Sequence, residues 1–275
     1  MAAVGRNLSR TGEGITLHSH ARRRGGDLVL EVQSKVEVPE RIIVDAELKA
    51  RKGTVVAIMG KNGAGKSTLL KAMLGLINKN QFTSSSSIKI DKVDLSESDI
   101  SRRGAYISYL PQSFDLMLIN RTVEREVKYS MRKRGIRNDE LLQTIFEIFE
   151  LYEIRAADPL RLSMGQRRRV SMAAILASEV RIVLMDEPTS GQDFYHKDLM
   201  GKELRKITDM GYTVIVVTHD GRFVYRYADE LAIMHEGRIV FHGIPEEGFE
   251  ISEQYGILPP SDHLLRRHEK NLEVE

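Results

Sequence analysis

Gly60-Lys61-Asn62-Gly63-Ala64-Gly65-Lys66-Ser67 is the stretch that decides the fold. It follows an apolar run, Val55 to Met59, and leads into Lys66 to Leu76, where apolar positions recur at helical spacing. Strand, glycine-rich turn and helix in that order make the pattern Gly-x-x-x-x-Gly-Lys-Ser a phosphate-binding loop. Glycines let the backbone bend until successive N–H groups converge on phosphate oxygens, and the helix adds its positive end. Lys66 is placed to neutralise phosphate charge, and the Ser67 hydroxyl to ligate Mg²⁺. By ordinary residue frequencies the four fixed positions coincide by chance in roughly one chain of this length in a hundred. The flanking strand and helix make chance rarer still.

Outward from the loop, two more apolar runs each end in polar residues: Ile182 to Met185, and Thr213 to Thr218. Runs apolar throughout suit parallel strands covered on both faces. Helical patterns at Gln166 to Leu176 and His196 to Met210 separate or follow them. The alternation predicts an α/β fold with a mostly parallel sheet, whose ligands sit beyond the C-terminal strand ends. The run Ile182 to Met185 meets Asp186-Glu187 at its tip. Such a pair is common surface when seen alone. Beside a phosphate loop, Asp186 would hold Mg²⁺ through its water shell, and Glu187 would polarise an attacking water.

Leu28 to Val38 and Ile42 to Leu48 alternate as two strands, which predicts an N-terminal antiparallel β part. Ser84 to Ser87 reads as a loop before a strand at Ile88 to Ile90. From about 114 to 165 the pattern turns helical. There Leu142, Ile145, Phe146, Phe149 and Tyr152 would share one face of a helix over Asp139 to Tyr152. That predicts a helical lobe inserted in a domain of residues 27–245. Ala232 to His242 is hairpin-like, and the charged tail at 246–275, broken by Pro259-Pro260, predicts a small helical appendix. Residues 1–26 are polar, with Arg22-Arg23-Arg24, and read as a disordered basic arm.

Composition narrows the classes. The chain has no cysteine, so disulfides, thiolate metal sites and cysteine nucleophiles are excluded together. A formal charge of +2 on 275 residues gives no global reason to expect nucleic acid. No run approaches the ~20 apolar residues of a membrane helix, and the N-terminus has no apolar signal core. His18-x-His20 lacks a third ligand nearby, and Asp91 to Asp99 lacks the central glycine of a calcium loop. In Arg167-Arg168-Arg169 one arginine is expected to make internal contacts and the others to face solvent.

Six elements in order now carry a family resemblance. Leu162-Ser163-Met164-Gly165-Gln166-Arg167 resembles the Leu-Ser-Gly-Gly-Gln signature of ATP-binding cassette (ABC) ATPases, with Met164 in place of a glycine. Gln112, after Tyr106 to Leu110, matches the family's Q-loop. Ser190-Gly191-Gln192-Asp193 resembles its D-loop, with Gln192 where leucine is usual. His219 matches the switch histidine, and the phosphate loop and Asp186-Glu187 complete the set. The resemblance runs from about Leu28 to the tail. Its finer features are similar to ATPase subunits of energy-coupling factor transporters: Thr122-Val123-Glu124-Arg125-Glu126-Val127, Gly243-Ile244-Pro245-Glu246-Glu247-Gly248-Phe249 and Leu258-Pro259-Pro260. The Asn-Pro that often follows the Q-loop in that group is absent.

The resemblance implies a P-loop NTPase core that binds ATP and Mg²⁺. Gly60, Lys61, Asn62, Gly63, Ala64, Gly65, Lys66, Ser67, Thr68 and Gln112 would hold the nucleotide, and Ser67, Gln112 and Asp186 would serve the metal. Glu187, His219 and Lys66 would be catalytic. Ser163, Gly165, Gln166 and Asp193 would reach a nucleotide held by a second ABC subunit, so the working unit would be a head-to-tail dimer. An integral membrane subunit, reached from the cytoplasmic face, would be the further partner; no nucleic acid is implied. A soluble cassette ATPase and a regulatory cassette with little turnover are the alternatives. Cassette ATPases usually stack adenine on an aromatic ring before the phosphate loop, yet no Phe, Tyr or Trp precedes Phe82. Val38 and Pro39, or Arg41, are the candidate replacements, and ATP should be poorly distinguished from GTP.

Overall fold

The computed structural model describes residues 26–272. The reading of residues 1–25, including His18, His20 and the arginine run, lies outside the described residues. The strands are β1 (Leu28–Val38), β2 (Arg41–Arg51), β3 (Val55–Met59), β4 (Thr83–Ile90), β5 (Val93–Asp94), β6 (Ile107–Leu110), β7 (Ile182–Asp186), β8 (Thr213–Val217), β9 (Glu230–His235) and β10 (Arg238–Gly243). The helices are α1 (Lys66–Leu74), α2 (Ile100–Arg103), α3 (Val123–Lys133), α4 (Asp139–Ile148), α5 (Met164–Leu176), α6 (Phe194–Asp209), α7 (Gly221–Tyr227), α8 (Pro245–Ile251) and α9 (Ser261–Leu272).

Among the described residues two sheets form. One is antiparallel, in the order β2-β1-β4-β5; the other runs β10-β9-β3-β8-β7-β6 and is parallel except for the β9–β10 hairpin. Every residue of β3, β7 and β8 is buried, as continuous apolar runs in a covered parallel sheet require. Helix α1 lies in the core between the sheets: Leu69, Leu70 and Met73 pack with Leu30, Leu48 and Ile88 on one side and Ile58, Ile182 and Ile215 on the other. The second core gathers α3, α5, α6 and α7 on the opposite face of the parallel sheet. This layering leaves the C-terminal ends of β3, β7 and β8 side by side.

Three expectations need correction. Ser84 to Ser87 is not a loop: it is half of β4, paired to β1 from Thr83↔Glu37 to Ile90↔Leu30. The serines serve as strand because the backbone ladder is satisfied there and the Ser34 and Ser86 hydroxyls bond at 2.8 Å. The helix of the lobe stops at Ile148, not Tyr152. Its buried face is Leu141, Ile145 and Phe146, with Leu142 partly buried and Tyr152 exposed. The chain turns at Glu150 through a left-handed φ of 52°, which ends the helical period. The run Arg167-Arg168-Arg169 is the third correction, taken up with the site.

The tail is bound into the same core. Phe249 and Ile257 are buried in the cluster that contains Val224 and Leu231. Asp262 pairs with Arg226 at 2.9 Å and Arg222 at 3.4 Å, holding α9 against α7.

Candidate functional site

The loops after β3, β7 and β8 meet in one open cleft of about 1220 Å³. Lys61 to Thr68, Gln112, Asp186, Glu187, Ser190 and His219 line it, together with Arg41 to Ile43 and His235 to Gly237. Gly60 stands at its base. A Cβ on Gly60 would come within 2.2 Å of the Met234 carbonyl oxygen, so only glycine lets β3 turn beside β9. Gly65 caps α1 with φ 101°, a conformation that would strain any residue with a Cβ.

Lys66 is buried, and its Nζ donates to the carbonyls of Gly60 (2.7 Å) and Lys61 (3.0 Å). Burial lowers its pKa, while the charges of Glu187 and Asp186 oppose that fall. Ser67 Oγ donates to Asp186 Oδ1 at 3.1 Å, and Tyr109 OH to Asp186 Oδ2 at 3.2 Å. Burial, then the nearby Asp186, pushes the Tyr109 phenol upward, so it remains a donor. Tyr109 reaches Asp186 because β6 pairs directly with β7; the sequence carries no signal for that contact.

Glu187 adopts φ 50°, in the left-handed region that a β-carbon disfavours. Its N–H donates to Val217 at 2.8 Å and its carbonyl accepts from Ser190 at 3.1 Å, so the bends around it are fixed from both sides. A non-glycine residue keeps such a conformation only where the surrounding structure over-determines it. Glu187 Oε1 lies 3.0 Å from His219 Nε2. Burial raises the Glu187 pKa against the opposing charge of Lys66; burial and then Lys66 lower that of His219. The result is a carboxylate with increased basicity beside an imidazole whose protonation is disfavoured.

The signature residues lie elsewhere. Ser163 caps α5, accepting from Gln166 N–H at 3.3 Å while the Gln166 side chain accepts from Ser163 N–H at 3.1 Å. Ser163, Gly165 and Gln166 line a separate depression with Gln192, Tyr195 and His196. Asp193 is not brought into the cleft: its carboxylate caps α6, bonding His196 N–H at 2.9 Å and Nδ1 at 2.8 Å. Of the proposed base-stacking residues, Arg41 lines the cleft, whereas Val38 and Pro39 are outside its lining.

All three arginines after the signature make internal contacts, contrary to the expectation that only one would. Arg168 is buried with its guanidinium 4.8 Å from the centre of the Phe114 ring and donates to Ser190 O at 3.4 Å. Burial pulls its pKa down to about 10. Arg167 pairs with Asp115 at 3.3 Å, and Arg169 with Glu150 at 2.8 Å. Arginine does this where lysine would not, because its planar fork serves several acceptors and lies flat on a ring. The signature helix is thereby tied to the segment after Gln112 and to Ser190.

A phosphate loop on β3, a carboxylate pair on β7, a histidine after β8 and a helical insertion ahead of α5 together make the fold of an ATP-binding cassette. The chain belongs to the ABC transporter family, whose pattern its residues 43–190 match. It is 47% identical over 252 residues to an ABC transporter ATP-binding protein of Saccharolobus solfataricus, covering 91% of this chain and 48% of that one. It is 35% identical over 204 residues to another from Bacillus anthracis, covering 73% and 35%. The chain thus spans about half, or less, of the length of these relatives. Among solved structures, cbiO1 from Clostridium perfringens, part of the ABC transporter complex cbiONQ, superposes with TM-score 0.73 at 26% identity, covering 88% and 99%. An ATP-binding cassette in its ADP conformation shares the fold with TM-score 0.71 at 21% identity, covering 83% and 95%. No helix among the described residues is long and apolar enough to cross a membrane.

Proposed function

We propose that this chain binds and hydrolyses Mg·ATP and energises a transporter whose membrane-spanning part is another protein. The observation that carries the reading is the division of the site. One cleft collects the phosphate loop, the Ser67–Asp186 pair and the Glu187–His219 pair, while Ser163 and Gly165 line a different depression. A nucleotide held by the loop would be completed only by the signature of a second cassette, so the working form is a head-to-tail dimer. Asp193, beside that same depression, would then act at the interface through its hold on α6.

The residues fit the nucleotide and metal. Lys66 Nζ sits inside the loop, where its bonds to two carbonyls can be exchanged for phosphate oxygens. Ser67 and Asp186 are hard oxygen donors in mutual contact, and Gln112 lines the same cleft. Mg²⁺, when bound there, neutralises charge on the terminal phosphates. Glu187 orients and polarises the attacking water, and His219 steadies Glu187 and contacts the terminal phosphate.

A groove beside the lobe supports a membrane partner. Met117, Leu118, Ile119, Tyr129 and Lys133 line it, and Leu116 and Ile119 in the adjoining turn are 84% and 66% exposed. Glu126 fixes that turn by accepting from the N–H groups of Ile119 and Asn120 at 2.9 and 2.7 Å. The likeness to cbiO1 supports transport of the energy-coupling factor type, importing a vitamin or metal ion, with the chain on the cytoplasmic face. Met164, half exposed where the family has glycine, favours a second reading, a regulatory cassette with little turnover. The test is to isolate the protein from its native membrane and assay phosphate release. Co-purification of a polytopic membrane protein that stimulates turnover supports the first reading. Nucleotide binding without turnover supports the second.

A further inference from the structure

The cleft extends past the groups that handle phosphate. In the sheet order, β3 carries the phosphate loop, β8 and β7 bring His219, Asp186 and Glu187 from one side, and β9 arrives from the other. A triphosphate whose terminal group lies toward the carboxylates therefore directs its base toward β9. At the end of β9, His235 lines the cleft beside Arg41, Ile42 and Ile43. The turn that follows is locked to the phosphate loop: Gly237 N–H donates to Ala64 O at 3.0 Å, and Gly237 O accepts from Asp45 N–H at 2.8 Å.

Two rings line the cleft, both histidines, and His219 is engaged with Glu187. His235 is the other. Its ring is backed by Tyr255, with centroids 5.4 Å apart and planes at 53°. The next residue, Gly256, packs so closely on Lys61 of the phosphate loop that an added Cβ would fall 1.9 Å from Lys61 Cε. The C-terminal segment thus supports the loop and the ring together.

Building on the nucleotide-site reading, we propose that His235, seated against Tyr255, is the platform on which a purine base stacks. It takes the place of the aromatic ring that the strands before the phosphate loop do not supply. Every base has a π face, so a stacking platform holds purines with little regard to their edges.

The test compares the unmodified protein with His235→Ala, His235→Phe and Tyr255→Ala, each titrated calorimetrically with Mg·ATP, Mg·GTP and inorganic tripolyphosphate. Loss of one stack should weaken both nucleotides about tenfold in His235→Ala and leave tripolyphosphate unchanged. His235→Phe should retain nucleotide affinity, and Tyr255→Ala should show a smaller loss than His235→Ala. If His235→Ala binds ATP as before, or loses tripolyphosphate as much as ATP, the platform is wrong. Unmodified protein that binds tripolyphosphate as tightly as ATP overturns the platform alone. Protein that binds neither overturns the nucleotide site and the platform with it.

Discussion

Glu187 Oε1 and His219 Nε2 stand 3.0 Å apart on loops that the Thr189 and Thr218 hydroxyls join at 2.8 Å. The pair is built into the backbone: Glu187 is held at positive φ by bonds to Val217 and Ser190. Replacing Glu187 by Gln keeps the shape and removes the base. Turnover should fall about 10²-fold or more, with ATP affinity close to that of the unmodified protein. Phosphate release under saturating ATP, alongside an equilibrium binding titration, checks both halves. Undiminished release would exclude Glu187 as the base.

The same burial predicts the pH profile. Glu187 acts in its ionised form, and burial lifts its pKa above 4.5. The base is therefore lost on acidification at a higher pH than for an exposed glutamate, and kcat/KM should rise with pH through a limb centred above 4.5. A kcat/KM profile, which reports the ionisations of the free protein, reads this directly. An acid limb at or below 4.5 would mean that another group sets the rate.

Ser163→Arg should abolish hydrolysis while a single subunit still binds ATP normally. The capping box that holds Ser163 lies on α5, in a depression separate from the phosphate cleft. An arginine there blocks the approach of a second cassette and leaves its own cleft intact. Nucleotide titration at subunit concentrations too low for dimerisation, paired with a turnover assay, separates the two effects. A large loss of affinity in the isolated subunit would contradict contact in trans.

The phosphate loop and the carboxylate pair are legible because their chemistry fixes residue type and spacing at once. The strands β1, β2, β3, β7 and β8 are legible because burial on one or both faces writes a period into the sequence. Ser84 to Ser87 are not, since hydroxyl pairing and a backbone ladder hold β4 with no apolar period over those residues. The lobe helix is a turn shorter than its apolar pattern predicts because Phe149 is buried after the helix ends. Tyr109 and Arg168 are recognisable only through strand pairing and helix packing, which bring Asp186, Phe114 and Ser190 to them. The left-handed backbone of Glu187 has no residue signature at all.

The tail offers a stability test. Phe249 is almost fully buried, with its ring 6.1 Å from Tyr225 and 5.9 Å from His263. Phe249→Ala should destabilise the protein by about 3 to 5 kcal/mol, measured by chemical unfolding. A cost under about 1 kcal/mol would show that α8 packs on the domain without being part of its core.

Glu203 gives the last prediction. It lies buried on α6 beneath the depression that holds Ser163 and Gln166, and burial pushes its carboxyl up to about 8. The charges of Arg169 and Lys206 oppose that rise, and Glu150 adds to it. Between 4.5 and about 8 the folded protein keeps a proton that the unfolded chain releases. The folded state then binds more protons, so stability falls as pH rises through this window. The contribution is fully present below 4.5 and is lost by about 8. Glu203→Gln resembles the protonated acid and has nothing to release, so it should escape the loss. The stability difference between Glu203→Gln and the unmodified protein should widen in favour of the glutamine from pH 5 to 8, by on the order of 4 kcal/mol. Comparing the two proteins cancels the other titrating groups. Unfolding free energies at several pH values across the window provide the measurement. A difference that stays constant would place the Glu203 carboxyl in contact with water or a cation, ionised at neutral pH like an ordinary glutamate.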